Sequence, residues 1–206
     1  MFIHEIYKFE SKSQNPIILD CGSNHGTSIT YFKTIFPNSN IIGVEADPYI
    51  FDILKWNIEK QMLKNVTLLN KAVSNSNEPL SFFREGADGG RIYSLKESKE
   101  VIKVDSITLD NLLDQLVHVD FLKMDIEGSE SDVIVSSENL GNVQQLFIEY
   151  HSFKDAEQTL GAMLEKLKES GFRYYIHTQF CSPKPLIVEE LQLGMDLQLN
   201  IFAKRK

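Results

Sequence analysis

Ile17-Ile18-Leu19-Asp20-Cys21-Gly22-Ser23-Asn24-His25-Gly26 joins a short apolar run to a turn that carries two glycines. The next segment, Thr27–Phe36, spaces Ile29, Phe32, Ile35 and Phe36 at helical intervals and stops at Pro37. Strand, glycine turn and helix in that order mark the edge of an open α/β sheet, where ligands sit beyond the carboxyl ends of the strands. Small residues let the backbone approach a ligand closely, and the helix start offers N–H groups suited to a carboxylate or phosphate.

Further apolar runs bounded by turn residues read as buried strands at Asn40–Val44, Val66–Leu69, Asp120–Met124 and Leu146–Tyr150. Helices are predicted between them. Pro48–Leu63 has Asp47 as cap and Pro48 at its first position, and Ala156–Ser170 places Leu160, Met163, Leu164 and Leu167 on one face before Gly171. Phe172–His177 and Leu197–Ala203 read as a final hairpin-like pair. Residues 78–104 interrupt the alternation as a hairpin insertion, with strands near Leu80–Phe83 and Val101–Val104. The glycine-rich Glu85-Gly86-Ala87-Asp88-Gly89-Gly90 between them is either a plain connection or a flap over the site. The expected architecture is a three-layer αβα sandwich around a mostly parallel, Rossmann-like sheet, one domain over residues 1–206 with a lead at 1–15.

Composition narrows the function classes. The chain has 206 residues, 42% of them hydrophobic, and a formal charge of -8, which disfavours a general nucleic-acid binder lacking a cationic face. Lys204-Arg205-Lys206 reads as a solvated tail. No apolar stretch is long enough to cross a bilayer, and the first ten residues make a poor signal peptide. Cys21 and Cys181 lack C-x-x-C spacing, so they fit reduced thiols in a cytoplasmic protein better than a disulfide framework or zinc site. Trp56 reads as core packing in the second helix.

Spacing decides between adenosine ligands. A dinucleotide fingerprint needs a second glycine two residues after the first, where pyrophosphate packs on the backbone, and this chain has Asn24 there and Thr27 at the third position. An NAD-dependent oxidoreductase or epimerase is thereby disfavoured, and no Tyr-x-x-x-Lys pair supports one. No Gly-Lys-Ser/Thr follows, so a P-loop is excluded. Glu45, at the end of the second strand, stands where an acid holds both ribose hydroxyls, or alternatively helps Asp47 start a helix. Ala72 offers a backbone N–H near an adenine edge, or is an ordinary loop alanine.

These residues resemble the FkbM family of methyltransferases over roughly 17–151. The likeness rests on Leu19 to Gly26, on Val44-Glu45-Ala46-Asp47-Pro48, on Ser106-Ile107-Thr108-Leu109-Asp110, on Phe121-Leu122-Lys123-Met124-Asp125-Ile126-Glu127-Gly128-Ser129-Glu130 and on Ile148-Glu149-Tyr150-His151. The K-x-D-x-E-G element is far more specific than the glycine turn. The resemblance implies the seven-stranded class I fold, S-adenosylmethionine as cofactor, and O-methylation of a hydroxyl on a sugar, glycan or secondary metabolite. On it, Asp20, Gly22, Ser23, Asn24, Gly26, Glu45, Ala46, Ala72 and Asp125 are the expected cofactor residues. Cys21 and Glu45-Ala46-Asp47 depart from the family's commoner Ile or Val and Glu-Pro-Asn. The short lead implies a small or missing N-terminal cap over the acceptor.

Side chains two apart on a strand point the same way, so Asp125 and Glu127 share a side if the strand continues past Met124, as do Glu149 and His151. Neighbouring strands about 4.8 Å apart would gather three carboxylates and an imidazole, which a proton, Lys123 or a metal ion must neutralise. His151 is the expected base, Glu149 its orienting partner, Asp125 lies toward the cofactor and Glu127 toward the acceptor. Mg²⁺ or Mn²⁺ is chemically sensible among these oxygens but not expected. Two milder readings stay open. Asp125 and Glu127 could serve only a helix start, with Ser129 and Asp132 in capping-box spacing, and the whole chain could be a non-catalytic adenosine-binding module.

Overall fold

A computed structural model describes residues 5–83 and 101–205. In chain order the elements are β1 (Ile17–Cys21), α1 (Thr27–Ile35), β2 (Asn40–Glu45), α2 (Pro48–Lys60), β3 (Val66–Asn70), β4 (Ala72–Ser74), β5 (Leu80–Phe83), β6 (Val101–Val104), β7 (Ser106–Thr108), α3 (Leu109–Leu113), β8 (Val119–Met124), α4 (Glu130–Ser136), β9 (Val143–Phe153), α5 (Leu160–Glu169), β10 (Phe172–Cys181) and β11 (Met195–Arg205). The predicted strands and helices are all present. The glycine-rich loop Glu85–Gly90 lies outside the described residues.

Seven strands form the main sheet in the order β10-β11-β9-β8-β1-β2-β3. The pairs β1–β2, β2–β3, β1–β8 and β8–β9 are parallel, while β11 runs antiparallel to both β9 and β10. From β1 the chain winds outward through β2 and β3 and returns to β8 on its other side. The crevice at the carboxyl ends of β1 and β8 is therefore the switch point where such sheets bind ligands.

Helices cover both faces. Leu112 and Leu113 of α3, Val133 and Ile134 of α4 and Met163 and Leu167 of α5 pack with Leu19, Leu122, Leu146 and Ile148. On the other face, Ile29 and Phe32 of α1 and Leu54 and Ile58 of α2 pack with Ile18, Ile41, Phe121 and Phe147. Period-2 alternation does the sorting: odd positions of β1 go to the first cluster, even ones to the second. Asp20 shares its face with Ile18. Registers Asp20↔Lys123, Lys123↔Phe147, Asn200↔Glu149 and Gln198↔His151 carry that face across β8, β9 and β11.

Local chemistry explains the helix ends. Asp47 caps α2 by accepting the Tyr49 and Ile50 N–H groups at 2.8 and 3.4 Å, and Pro48 sits at the first turn as expected. Two expectations are corrected. Trp56 is 56% exposed on the outer side of α2 with the Lys60 ammonium 4.3 Å from its ring, because Leu54 and Ile58 occupy the inward stripe. Arg205 is no solvated tail residue: its guanidinium donates to the Val143, Ser170 and Leu140 carbonyls at 2.6–2.7 Å, closing ends left by two other segments. The described part of the lead packs into the core. Tyr7 and Phe9 are buried against Phe32, Phe121 and Phe147, with Phe9 stacked on Phe121 at 4.6 Å and Tyr7 edge-on to Phe147 at 4.8 Å.

Candidate active site

The turn after β1 is built by close backbone approach. Gly22 has φ +81°, and its N–H and that of Ser23 both donate to Val44 O, at 2.9 and 3.0 Å. A Cβ on Gly22 would lie 1.7 Å from the Asp125 carbonyl oxygen, so this position is restricted to glycine by contact as well as conformation. Gly26, at φ +85°, opens α1, and no side chain caps that helix. Asn24 is exposed, gives its N–H to Glu45 Oε2 at 2.8 Å and accepts the His25 N–H on its own side chain.

Glu45 takes the helix-start role its position allowed and holds the glycine turn as well. Oε2 takes the Asn24 N–H of the glycine turn and Oε1 the Asp47 N–H at the start of α2, at 2.9 Å. Burial pushes its carboxyl above the ordinary range against these hydrogen bonds. Each oxygen keeps lone-pair capacity for a further donor. Ala46 is partly buried beside it, its carbonyl accepting Asn70 Nδ2 at 3.1 Å. Ala72 is corrected. Its N–H donates to Asp105 O at 2.8 Å within the β4–β7 region, so it has no free donor for an adenine edge. Asp20 is fully enclosed, bonded through Oδ2 to Ser28 Oγ at 2.5 Å, while Ser23 Oγ donates to the Asp20 carbonyl. Burial raises its carboxyl, Lys123 opposing. Asp20 and Ser23 shape the turn from below.

Lys123 ties the turn to the acidic side. Its buried ammonium donates to Gly22 O at 2.6 Å and lies 3.2 Å from Asp125 Oδ2 and 3.6 Å from Asp20 Oδ1. Burial works against the charge, but Asp125 and Asp20 overrule it and hold the ammonium well above its usual range. Beyond Met124 the strand does not continue. The chain turns at Glu127 (φ +59°) and Gly128 (φ +106°), where a Cβ on Gly128 would meet the Phe153 ring at 2.7 Å. Asp125 and Glu127 are therefore brought to the site by a turn, not by strand alternation. Nor does the capping box form, since Ser129 makes no side-chain cap.

Glu130 takes that structural duty. It is 1% exposed, its carboxylate accepts the Ile126 and Gly128 N–H groups at 3.0 and 3.1 Å, and His151 Nδ1 lies 3.1 Å from Oε1. The other ring nitrogen, Nε2, faces Glu127 Oε2 at 3.7 Å, Glu149 Oε1 at 4.0 Å and Gln198 Nε2 at 3.4 Å. Gln198 Nε2 donates to Glu149 Oε1 at 2.5 Å. Glu149 and His151 do share the site face, as strand alternation requires.

The electrostatics set His151 and Glu127 apart. Burial alone would lower His151, but Glu130, Glu127 and Asp125 outweigh it and raise the ring to about 10. At neutral pH it is an imidazolium clasped between carboxylates and has no lone pair with which to take a proton. Glu127 moves the other way. Burial, with the charges of Asp125, Glu130 and Glu149 and against that of His151, lifts its carboxyl to about 7. Glu149 is also raised, by burial and then Asp125. The group poised near neutrality is Glu127.

Asp125, Glu130 and His151 each offer an atom within 4.8 Å of the others, a spacing open to a cation. The donor set fits one poorly. Both Glu130 oxygens already accept backbone N–H groups, His151 Nδ1 is turned to Glu130, and the Lys123 ammonium sits on Asp125.

Three residues escaped the sequence reading. Glu130 was visible as the end of the K-x-D-x-E-G-S-E run but carried no spacing signal for a histidine 21 residues on. Gln198 comes from β11 and depends on register alone. Tyr7 is held in the core by the lead, where its buried phenol, raised by burial, feels Lys123, Asp125 and Glu149.

Comparison with known proteins bears on the family and the fold. The methyltransferase FkbM domain model matches residues 20–174. Methyltransferase sdnD of Sordaria araneosa is 26% identical over 210 residues, covering 84% of this chain and 79% of that protein. The 2-O-methyltransferase NoeI of Sinorhizobium fredii is 27% identical over 175 residues, covering 74% and 71%. In fold, the chain is similar to M. jannaschii TYW2 solved in complex with AdoMet, with a TM-score of 0.55, 13% identity, and coverage of 99% of this chain and 76% of that one. With the matched domain spanning the glycine turn, the K-x-D-x-E-G turn and the Glu149–His151 strand end, the chain belongs to the methyltransferase FkbM domain family.

Proposed function

We propose that the protein transfers a methyl group from S-adenosylmethionine to a hydroxyl of a sugar, glycan or secondary metabolite. The observation that carries the reading is the surplus of carboxylates at the switch point. Asp125, Glu127, Glu130 and Glu149 converge on one imidazole, and Lys123 is already taken up by Asp20, Asp125 and Gly22 O. Such a cleft favours a cationic ligand and resists an anionic one. A sulfonium suits it. The pyrophosphate of NAD does not, and Asn24 stands where that pyrophosphate would need glycine.

The residues fit the cofactor in detail. Glu45 has oxygen capacity left for a vicinal diol, and the uncapped start of α1 behind Gly26 offers N–H groups to a carboxylate. Gly22, Asn24 and Ala46 line the approach between them. Bound there, the cofactor would supply an electrophilic methyl on a positive sulfur.

An alcohol ionises too weakly to react unaided at neutral pH, so a base within hydrogen-bond reach is needed. Glu127 accepts the hydroxyl proton as a C–O bond forms and the C–S bond breaks, leaving a neutral thioether. His151, held charged by Glu130, orients Glu127 and Glu149 and steadies their charge. Asp125 would lie on the sulfonium side of a bound cofactor. Gln198 Oε1 and Asn200 Oδ1, on the strand beside Glu149 and His151, are buried without hydrogen-bond partners among the described residues. Acceptor hydroxyls reached by a small amide rotation would satisfy them, which supports a polyhydroxylated acceptor. NoeI, named as a 2-O-methyltransferase, supports oxygen as the target. Cys21 and Cys181 are both free, in keeping with a cytoplasmic location.

The test is methyl transfer from isotopically labelled S-adenosylmethionine to a panel of mono- and oligosaccharides and glycosides, with the product read by NMR as an O-methyl signal. A new N-methyl or C-methyl signal instead would overturn the oxygen assignment.

A further inference from the structure

The segment joining β10 to β11 leaves Leu186 98% exposed, Ile187 82% and Leu193 76%, with Val188 and Leu191 also open to solvent. Its place in the fold matters. β10 and β9 both run antiparallel to β11, so the segment emerges at the carboxyl end of β9, two residues past His151. Phe153 pairs with Met195 at its far end, and the same Phe153 ring packs on Gly128 of the acidic turn. Lys154 fastens it twice, donating its N–H to Gly194 O at 3.1 Å and its ammonium to Glu189 Oε2 at 2.5 Å.

The segment is preformed. Ile187 and Val188 N–H groups close onto Lys184 O at 2.9 and 2.8 Å, and Ser182 Oγ donates to Val188 O at 2.6 Å. Gln192 and Met195 exchange both hydrogen bonds around Leu193 and Gly194, whose φ values are +53° and +83°. A two-residue turn with both central residues at positive φ favours Asn-Gly. Leucine there is strained, and exposing it forgoes burial besides. Two local costs at one exposed side chain, close to the Met195 that pairs with Phe153, point to a use.

We propose that Leu186, Ile187, Val188, Leu191 and Leu193 form an apolar subsite for the methyl acceptor, which is amphipathic: a hydroxylated head at Glu127 and Glu149, an aliphatic portion on this rim. The inference rests on the hydroxyl acceptor proposed above. Continuity with the acidic turn through Phe153 selects the acceptor as occupant. Charge argues against an anionic membrane surface, since Glu189 and Glu190 lie within the segment and the chain carries a net charge of -8.

The test compares n-octyl β-D-glucoside below its micelle concentration with methyl β-D-glucoside, titrated into the full chain and followed by amide NMR. Leu186→Asn and Leu193→Asn are the variants; neither removes a buried contact, and Asn suits the turn at 193. We expect the octyl compound to bind at least about tenfold tighter, the gain from burying roughly two methylenes. The shifts should fall on 186–193, and the double variant should erase the preference. S-adenosylmethionine titration of the same samples should be unchanged. Equal binding of the two glucosides, or an octyl preference that survives the double variant, overturns the subsite. So does sedimentation showing that the wild type self-associates through these leucines, or vesicle binding that the variants abolish. Loss of S-adenosylmethionine binding in the wild type would strike the parent reading instead, and is read separately from the glucosides.

Discussion

Replacing Glu130 with Gln tests the charge arrangement at its centre. The substitution keeps the side chain's shape and one acceptor for the Gly128 N–H while deleting the charge 3.1 Å from His151 Nδ1. At that separation an effective dielectric of about 20 gives ~5 kcal/mol of attraction. Lifting an imidazole from its ordinary 6.5 to about 10 corresponds to ~5 kcal/mol as well, so Glu130 alone can account for the ring's charge once burial and the more distant carboxylates offset one another. Histidine-labelled NMR titration reads the outcome, with His151→Asn assigning the signal. The wild-type ring should stay protonated beyond about pH 8, and in Glu130→Gln it should titrate near its ordinary value. Stability follows by linkage. The folded ring binds its proton more tightly than the unfolded one, so its contribution is whole below about pH 6.5 and is lost as pH rises through about 10. The variant should lose ~3–5 kcal/mol near neutrality, the usual cost of stripping one partner from a buried pair, and should lose that pH dependence too. A wild-type ring titrating near 6.5, or one unmoved by the substitution, refutes the reasoning.

Glu127→Gln should lower kcat ~10²–10⁴-fold with little change in KM, and should flatten a rate profile that in the wild type rises through about pH 7 as the carboxylate forms. Because burying that charge opposes folding above its titration, the same variant should be at least as stable as the wild type in urea at about pH 8. Gly22→Ala should abolish cofactor binding in calorimetry, since its Cβ would sit 1.7 Å from Asp125 O at a φ of +81° that itself costs ~1–2 kcal/mol for alanine. Exhaustive chelation should leave turnover unchanged, because both Glu130 oxygens already accept backbone N–H groups, His151 Nδ1 is turned to Glu130 and the Lys123 ammonium sits on Asp125.

The parts of the fold legible in the sequence are those decided by local periodicity and turn chemistry. Asp47-Pro48 announced α2, Pro37 ended α1, and apolar runs located the strands of the main sheet. Trp56 was misread because hydrophobicity was counted without assigning a helix face, and Leu54 and Ile58 already defined the buried one. Arg205 looked solvated because its carbonyl partners lie 35 to 65 residues away. At the site, Asp125, Glu127, Glu149 and His151 were legible but their protonation was not. Whether His151 is base or cation depends on Glu130 and on burial, and whether Ala72 offers a donor depends on Asp105, a partner supplied by strand pairing. Glu127 shows the same limit: a left-handed residue, not an extended strand, delivers it.

The central claim is that the switch point between β1 and β8 holds S-adenosylmethionine against Glu45 and the glycine turn. Isothermal titration of the full chain with S-adenosylmethionine and, separately, with NAD tests it most directly. S-adenosylmethionine should bind one-to-one and NAD not at all, and Glu45→Ala should lose the heat. Binding of NAD in its place, or S-adenosylmethionine affinity indifferent to Glu45, would contradict it.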